Sequence, residues 1–121
     1  MTKANIESKE PAIDLEFLRG IIDNDKQFEK ELFEIFVDTA KRNIEKLEDS
    51  IESGDSNSWY MASHAFKGAA TSVGAFTLAE ILEKAQQSPE ENRTVKKNVL
   101  AKIKTDFDEV LDFIKNNLGH Y

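Results

Sequence analysis

Apolar residues recur every three or four positions along most of the chain, which is the spacing of an amphipathic α-helix. The longest such pattern begins after Asn24, which has Gln27 in the position of a capping-box partner, and predicts a helix to about Ser53. Gly54 then supplies the residue type that most often ends a helix. The apolar stripe of this predicted helix consists of Phe28, Leu32, Phe36, Ala40, Ile44, Leu47 and Ile51.

Four further helices are predicted from capping residues and shorter apolar patterns. Asp14 is suited to cap a short leading helix, and Thr77 with Glu80 has the spacing of a second capping box. Ser88 followed by Pro89 is the clearest start signal, because proline is favoured at the first helical position. The four helices are expected at about 14–22, from Asp55 or Ser56 to about Val73 with Gly74 after it, from Thr77 to about Gln87, and from Ser88 to near Gly119.

The predicted fold class is all-α, since no alternating pattern typical of a β-strand interrupts the helical segments. Short loops make neighbouring helices antiparallel, so the four longer segments are expected to form an up-down-up-down antiparallel four-helix bundle. The short leading helix is then an extra N-terminal element. We interpret residues 1–12 as a disordered N-terminal tail and residues 13–121 as the bundle.

The composition narrows the classes of function. The chain has 121 residues, enough for one modest core, and no cysteine that could form a disulfide or a thiolate metal site. Its 16 basic and 23 acidic residues give a net charge of −7, which argues against binding nucleic acid or an anionic membrane surface. The first residues are polar and lack the apolar core of a signal peptide, and no apolar run approaches the ~18 residues of a membrane span. We therefore expect a monomeric cytoplasmic protein.

The predicted helix after residue 55 carries one of the two histidines of the chain. With His64 at zero on a helical wheel, Trp59, Phe66 and Val73 fall within about 40° of the opposite side and form the predicted core face. His64 is therefore expected to point away from the core. The residues that share its face are Tyr60, Met61, Lys67, Gly68 and Thr71.

Two neighbours of His64 indicate chemistry rather than ordinary exposure. A glycine inside a helix costs on the order of 1 kcal/mol relative to alanine, and Gly68 lies one turn from His64, where any side chain is expected to crowd the imidazole. Lys67, also one turn away, supplies a positive charge. An exposed imidazole with cleared space and a nearby ammonium suits a histidine that accepts a phosphoryl group on a ring nitrogen.

Other chemistries fit the sequence less well. Metal binding is disfavoured, because no second histidine or acid stands one turn from His64 in the same predicted helix. No glycine-rich phosphate loop is present, so the chain shows no phosphate source of its own. A Ser-His-Asp triad stays open, since its members need not be adjacent, although no nucleophile elbow is visible. We expect no cofactor and no metal.

The stretch His64–Ala70, with the letters HAFKGAA, followed by Val73-Gly74-Ala75 and by Leu78, resembles the signature of histidine-containing phosphotransfer (HPt) domains. Phe66 stands where leucine is commoner. Through the helix pattern, the resemblance extends over about residues 14–118. Members of this family are four-helix bundles with an exposed phosphoaccepting histidine. They relay phosphoryl groups between aspartates of receiver domains in multistep two-component signalling.

The resemblance implies a role for each residue of the motif. His64 would be the phosphorylated residue, Lys67 would neutralise phosphate charge, and Gly68 would provide clearance. In some members a glutamine on the following helix supports the imidazole, and Gln86 or Gln87 stands level with His64 in an antiparallel hairpin. The protein would then be a phosphocarrier without its own kinase activity, and magnesium would belong to the partner receiver domain.

The resemblance also implies partners, namely the receiver domains of a hybrid sensor histidine kinase and of a response regulator. Their docking surface is expected to surround His64 and to include exposed apolar residues of the leading helix and its neighbour. The same apolar residues would serve equally well to pack the leading helix onto the bundle. The expected docking residues are Tyr60, Met61, Lys67, Thr71, Leu15, Leu18, Ile22 and Phe28.

Two alternatives remain at this stage. The chain would be a helical adaptor if His64 had no chemistry and the acidic surface did the binding. It would be a fragment if it were the C-terminal domain of a hybrid sensor kinase or the N-terminal domain of a chemotaxis-type kinase. The initiating methionine and the polar first residues favour a standalone protein.

Overall fold

Five helices make up the part of the chain that the computed structural model describes, residues 11–118. The all-helical prediction is confirmed for these residues, and none of their helices combines the length and hydropathy needed to cross a bilayer. Most of the predicted N-terminal tail, and Gly119, lie outside the described residues. In chain order the helices are α1 (Leu15–Ile22), α2 (Lys26–Ser53), α3 (Ser56–Ser72), α4 (Phe76–Gln87) and α5 (Arg93–Leu118).

The four longer helices form a helical bundle around one hydrophobic core. α2 contacts α3, α3 contacts α4, α4 contacts α5, and α5 returns to α2, while α1 contacts α2. Phe107 of α5 joins three of these helices, because its ring lies edge-on to Phe36 of α2 and to Phe66 of α3. The centroid distances are 6.0 and 6.1 Å, within the range of favourable aromatic pairs.

The predicted apolar stripe of α2 is largely the face that packs on the core. Phe36, Ala40, Leu47 and Ile51 are buried. Phe28, in the first turn of α2, departs from this pattern and is 40% exposed. The stripe therefore faces the core from the second turn of the helix onward.

The short helix α1 is anchored to the turn between α3 and α4. The backbone N–H of Asp14 donates a hydrogen bond of 2.9 Å to the carbonyl of Gly74. The side chain of Asp14 also caps α1 as predicted, accepting from the Phe17 N–H at 3.0 Å. Ile13 and Leu18 are fully buried. Because its apolar side is part of the core, α1 is an integral element of the bundle.

The predicted cap of α2 was one residue too early. Asp25, not Asn24, caps the helix, and its Oδ1 accepts from the Phe28 N–H at 2.9 Å. Asn24 has φ of 64°, in the left-handed region. An N-cap residue needs an extended backbone, so Asn24 serves the turn that links α1 to α2 and cannot cap the helix.

The predicted starts of α4 and α5 were also wrong. α4 begins at Phe76 without a side-chain cap, so Thr77 lies inside the helix. Ser88 ends α4 and does not start α5, because its N–H donates to the Ala85 carbonyl and extends the last turn. α5 begins only at Arg93, where the side chain of Asn92 accepts from the Val95 N–H at 2.9 Å.

Candidate functional site

The two faces predicted for α3 are present in the structure. His64, Gly68 and Thr71 are exposed and Lys67 is half-buried. Tyr60 and Met61 are 39% and 58% exposed. On the opposite side, the fully or almost fully buried residues of α3 and its C-terminal turn are Trp59, Ala62, Phe66, Ala70 and Val73.

Local hydrogen bonds fix where α3 starts. The side chain of Asp55 accepts from the backbone N–H and from the hydroxyl of Ser58, at 3.0 and 2.8 Å. These bonds stabilise the carboxylate, so the pKa of Asp55 lies below its ordinary value. The cap satisfies a backbone donor that the first turn of a helix leaves free.

A buried hydrogen bond sets the register of α4 against α3. The indole N–H of Trp59 donates to the carbonyl of Ala85 at 2.8 Å. The turn of Val73, Gly74 and Ala75 reverses the chain between the two helices, and Gly74 adopts φ of 79°. Together these features bring the polar side chains near the end of α4 alongside His64.

The imidazole of His64 is held by one of the two predicted glutamines. Nδ1 of His64 lies 3.3 Å from Oε1 of Gln86. An amide oxygen accepts hydrogen bonds and does not donate them, so this contact favours the tautomer with the proton on Nδ1. The lone pair then resides on Nε2. The ring of Tyr60 lies nearly parallel to the imidazole, with centroids 6.1 Å apart and planes inclined by 9°.

Lys67 has a partner that sequence reasoning missed. Its Nζ lies 2.6 Å from Oε1 of Glu83 on α4. The second predicted glutamine, Gln87, contacts the same carboxylate and not the imidazole, because its Nε2 donates to Oε2 of Glu83 at 2.7 Å. The hydrogen bond from Lys67 is the largest influence holding the pKa of Glu83 below its ordinary value. The five side chains of His64, Gln86, Lys67, Glu83 and Gln87 are called the His64 cluster below.

A signal for Glu83 was present in the sequence. The same count along an antiparallel hairpin that places Gln86 level with His64 also places Glu83, one turn earlier on α4, level with Lys67, one turn later on α3. The count cannot say which of two adjacent residues points inward, which is why Gln86 and Gln87 were not distinguished.

The structure corrects the reason given for Gly68. A Cβ atom placed on Gly68 would meet no other atom within 4 Å, so a small side chain there would not crowd the imidazole of His64. The glycine therefore relieves no clash that a Cβ atom would make within the chain. What it leaves is open space on the exposed face of α3, one turn from His64.

The predicted docking residues divide into exposed and buried groups. Leu18 is fully buried and Ile22 is 4% exposed, so neither can contact a partner, and their assignment to the docking surface was wrong. Both lie on the side of α1 that packs into the core. Leu15 is half-buried and Phe28 is exposed.

Two other apolar residues of α1 are exposed. Phe17 and Ile21 are 40% and 41% exposed. The ring of Phe17 packs edge-on against Phe76, the first residue of α4, with a centroid distance of 5.0 Å. The apolar surface beside the turn between α3 and α4 therefore comes from α1 and α4 together.

Within residues 11–118, no three histidine, cysteine or acidic side chains are grouped as a metal ion would need. The His64 cluster itself holds one imidazole and one carboxylate, and the carboxylate is already paired with Lys67. Its chemistry is that of an exposed, oriented imidazole beside a paired ammonium.

Comparison with protein-family models matches the Hpt domain to residues 31–113 of the chain. The match covers more than half of the 121 residues and includes every side chain of the His64 cluster. Comparisons with curated proteins and with solved structures give no significant match.

Proposed function

Because the chain belongs to the Hpt domain family, whose members transfer phosphoryl groups on histidine in two-component signalling, we propose that His64 relays a phosphoryl group between receiver-domain aspartates. The observation that carries this proposal is the contact between Nδ1 of His64 and Gln86 on an exposed helix face. It leaves Nε2 with its lone pair free to react.

The proposed reaction uses only this nitrogen of the chain. Nε2 attacks the phosphorus of the donor's aspartyl phosphate, an N–P bond forms, and the P–O bond breaks with its electron pair staying on the aspartate carboxylate. The ring becomes positively charged, and Oε1 of Gln86 continues to accept the Nδ1 proton. The reverse reaction at a second receiver passes the phosphoryl group on.

The other motif residues assist this exchange in our proposal. Lys67 offsets the charge of the phosphoryl group, and the open space at Gly68 admits the receiver. Magnesium and the reacting aspartate are supplied by the receiver, so this chain needs no cofactor of its own. It acts as a phosphocarrier without kinase activity.

We propose that the four longer helices run up-down-up-down, with α1 as the extra N-terminal element. The cyclic order of contacts from α2 through α5 and back to α2 supports this topology. The pairs Lys67–Glu83 and His64–Gln86 support opposite directions for α3 and α4. The chain would act as a cytoplasmic monomer.

The proposed docking surface surrounds His64 and serves the receiver domains of a hybrid sensor kinase and of a response regulator. The exposure of Tyr60 and Met61 on the face of His64 supports it, because aromatic residues and methionine are enriched at protein interfaces. With Leu18 and Ile22 excluded by burial, the proposed docking residues are Tyr60, Met61, Lys67, Thr71, Leu15 and Phe28.

The first test is transfer from a receiver domain that carries labelled aspartyl phosphate. The wild-type protein is expected to take up label that is labile in acid and stable in alkali, as a phosphoramidate bond is. His64→Gln is expected to abolish the label, because the amide has no nucleophilic nitrogen. His120→Gln removes the other histidine of the chain and is expected to keep the label.

Two results would contradict the relay. Label retained by His64→Gln would place the chemistry at another residue. A wild-type protein that accepts no label from any receiver, yet binds a helical partner whether or not His64 is substituted, would favour the adaptor.

A further inference from the structure

Glu83 is the charged member of the His64 cluster that the proposed relay leaves without a role. Its carboxylate is engaged on both oxygens, Oε1 by Lys67 at 2.6 Å and Oε2 by Gln87 at 2.7 Å. The two donors come from different helices, α3 and α4. The carboxylate is therefore held in one orientation, with the ammonium of Lys67 kept beside it.

The same ammonium is the positive charge that a phosphoryl group on His64 needs. Lys67 stands one turn from His64 on α3, and its side chain is 30% exposed. A phosphoryl group carries up to about two negative charges near neutral pH. Before phosphorylation Lys67 and Glu83 neutralise each other, whereas afterwards the carboxylate and the phosphoryl group are two anions facing one ammonium.

We propose that Glu83 is a positioning residue that competes with the phosphoryl group of His64 for Lys67, and so keeps the phosphohistidine a better donor to the next receiver. The proposal rests on the proposed function, since it presupposes a phosphoryl group on His64. Glu83 touches no reacting atom. It acts through Lys67. In the resting protein it orients the ammonium, and after phosphorylation it prevents Lys67 from pairing with the phosphoryl group alone.

The competition acts on the equilibrium of a balanced exchange. When the phosphoryl group leaves Nε2 for a receiver aspartate, the N–P bond breaks with its electron pair returning to the ring, and a P–O bond forms. Lys67 then regains Glu83 as its partner. The ion pair re-forms only on the side of the equilibrium where His64 is free, so it favours donation.

Glu83→Gln tests the charge of this residue with little change in shape. Glu80→Gln is the matched control, because Glu80 lies on the same helix, is exposed, and gives the same change in net charge. The measurement is the equilibrium constant for phosphoryl exchange with one purified receiver domain. Glu83→Gln is expected to shift it toward phosphohistidine by about three- to tenfold, and Glu80→Gln by less than about twofold.

A salt series separates the charge effect from a structural one. Exposed charges are screened by salt, so the difference between Glu83→Gln and wild type should shrink as ionic strength rises from about 0.01 M to about 1 M. A change that came from altered packing would persist. Thermal unfolding of each variant shows whether the fold is kept.

Labelling with phosphoramidate, a small donor that needs no docking, separates this proposal from the relay itself. The P–N bond of the donor breaks, ammonia leaves, and the phosphoryl group bonds to His64. If neither phosphoramidate nor any receiver labels the wild type, the proposed function is wrong. If the wild type is labelled but Glu83→Gln gives the equilibrium of wild type, or one shifted toward the receiver, the role of Glu83 is wrong.

Discussion

Two adjacent glutamines at the end of α4 have different partners. Gln86 contacts the imidazole of His64, while Gln87 contacts the carboxylate of Glu83. Adjacent residues of a helix point about 100° apart around its axis. This difference is enough to direct one glutamine toward the ring and the other toward the ion pair. We therefore propose that Gln86 supports His64 and that Gln87 acts only indirectly, through Glu83.

Gly68 gives a prediction in which stability and transfer change in opposite directions. Gly68→Ala is expected to stabilise the free protein by about 0.5–1 kcal/mol, because alanine favours the helix and its methyl group meets nothing within 4 Å. The methyl group would occupy space proposed for the receiver, so transfer should slow. Urea unfolding and the rate of transfer from a receiver measure the two effects.

Gly20→Ala is the control for this prediction. Gly20 is also a helical glycine whose Cβ would meet nothing within 4 Å, and it lies in α1, outside the proposed docking residues. It should give a similar gain in stability without slower transfer. Equal transfer rates for the two variants would show that the space at Gly68 is not used.

At the scale of single residues, the sequence predicted which face of a helix a side chain lies on better than which residue it contacts. The 3.6-residue period was sufficient to place His64, Lys67 and Gly68 on the exposed face of α3. The pair of Lys67 with Glu83 depends on the register between two helices, which the Trp59–Ala85 hydrogen bond fixes. No spacing within one helix carries that information.

At the scale of elements, the helices were predicted more reliably than their starts. Cap residues are common in loops, so Asn24 and Asp25, or Ser88 and Asn92, compete as candidates, and backbone geometry decides between them. Asp25 has the extended backbone that a cap needs, whereas Asn24 does not. The start of α4 could not be predicted from cap residues, because the helix follows the turn at Gly74 and has no side-chain cap.

The turn at Gly74 gives a prediction for the anchoring of α1. Gly74→Ala is expected to destabilise the protein by about 1–2 kcal/mol for the left-handed backbone alone, since Gly74 has φ of 79°. A methyl group would also lie 3.1 Å from the Asp14 carbonyl oxygen and 3.1 Å from Cδ2 of Phe17. The total cost should therefore exceed the backbone term, as measured by urea unfolding.

Gly54→Ala separates the cost of the left-handed backbone from the cost of the contact with Asp14 and Phe17. Gly54 also has positive φ, 71°, but a Cβ there would meet nothing within 4 Å. The difference between the two variants then measures the contact of the turn with α1. If both cost the same, α1 is not held tightly enough at this turn to resist a methyl group.

At the scale of the whole molecule, the all-helical class followed from periodicity alone, since apolar side chains at helical spacing need a common core. The contact between three phenylalanine rings in the core could not be predicted in the same way. Phe36, Phe66 and Phe107 lie on α2, α3 and α5, and their meeting depends on how three helices pack. Their positions in the sequence predict only that each faces inward.

The contact between these three rings gives a prediction for the stability of the whole protein. Phe107→Ala is expected to cost about 3–5 kcal/mol, because Phe107 is 4% exposed and its ring contacts two other helices. Phe113→Ala, on the same helix but only partly buried, should cost clearly less. Fluorescence of Trp59, the single tryptophan, can follow both unfolding transitions. Equal costs would contradict a central role for Phe107.

The Trp59–Ala85 hydrogen bond has a consequence for how the site could be moved between proteins. Every member of the His64 cluster, together with this bond, lies within residues 59–87, a single helical hairpin. The contacts of the His64 cluster are therefore contained in one contiguous segment, while α2 and α5 contribute the apolar surface on which that segment packs. Grafting that segment onto another helical bundle with a matching apolar face should carry the site with it.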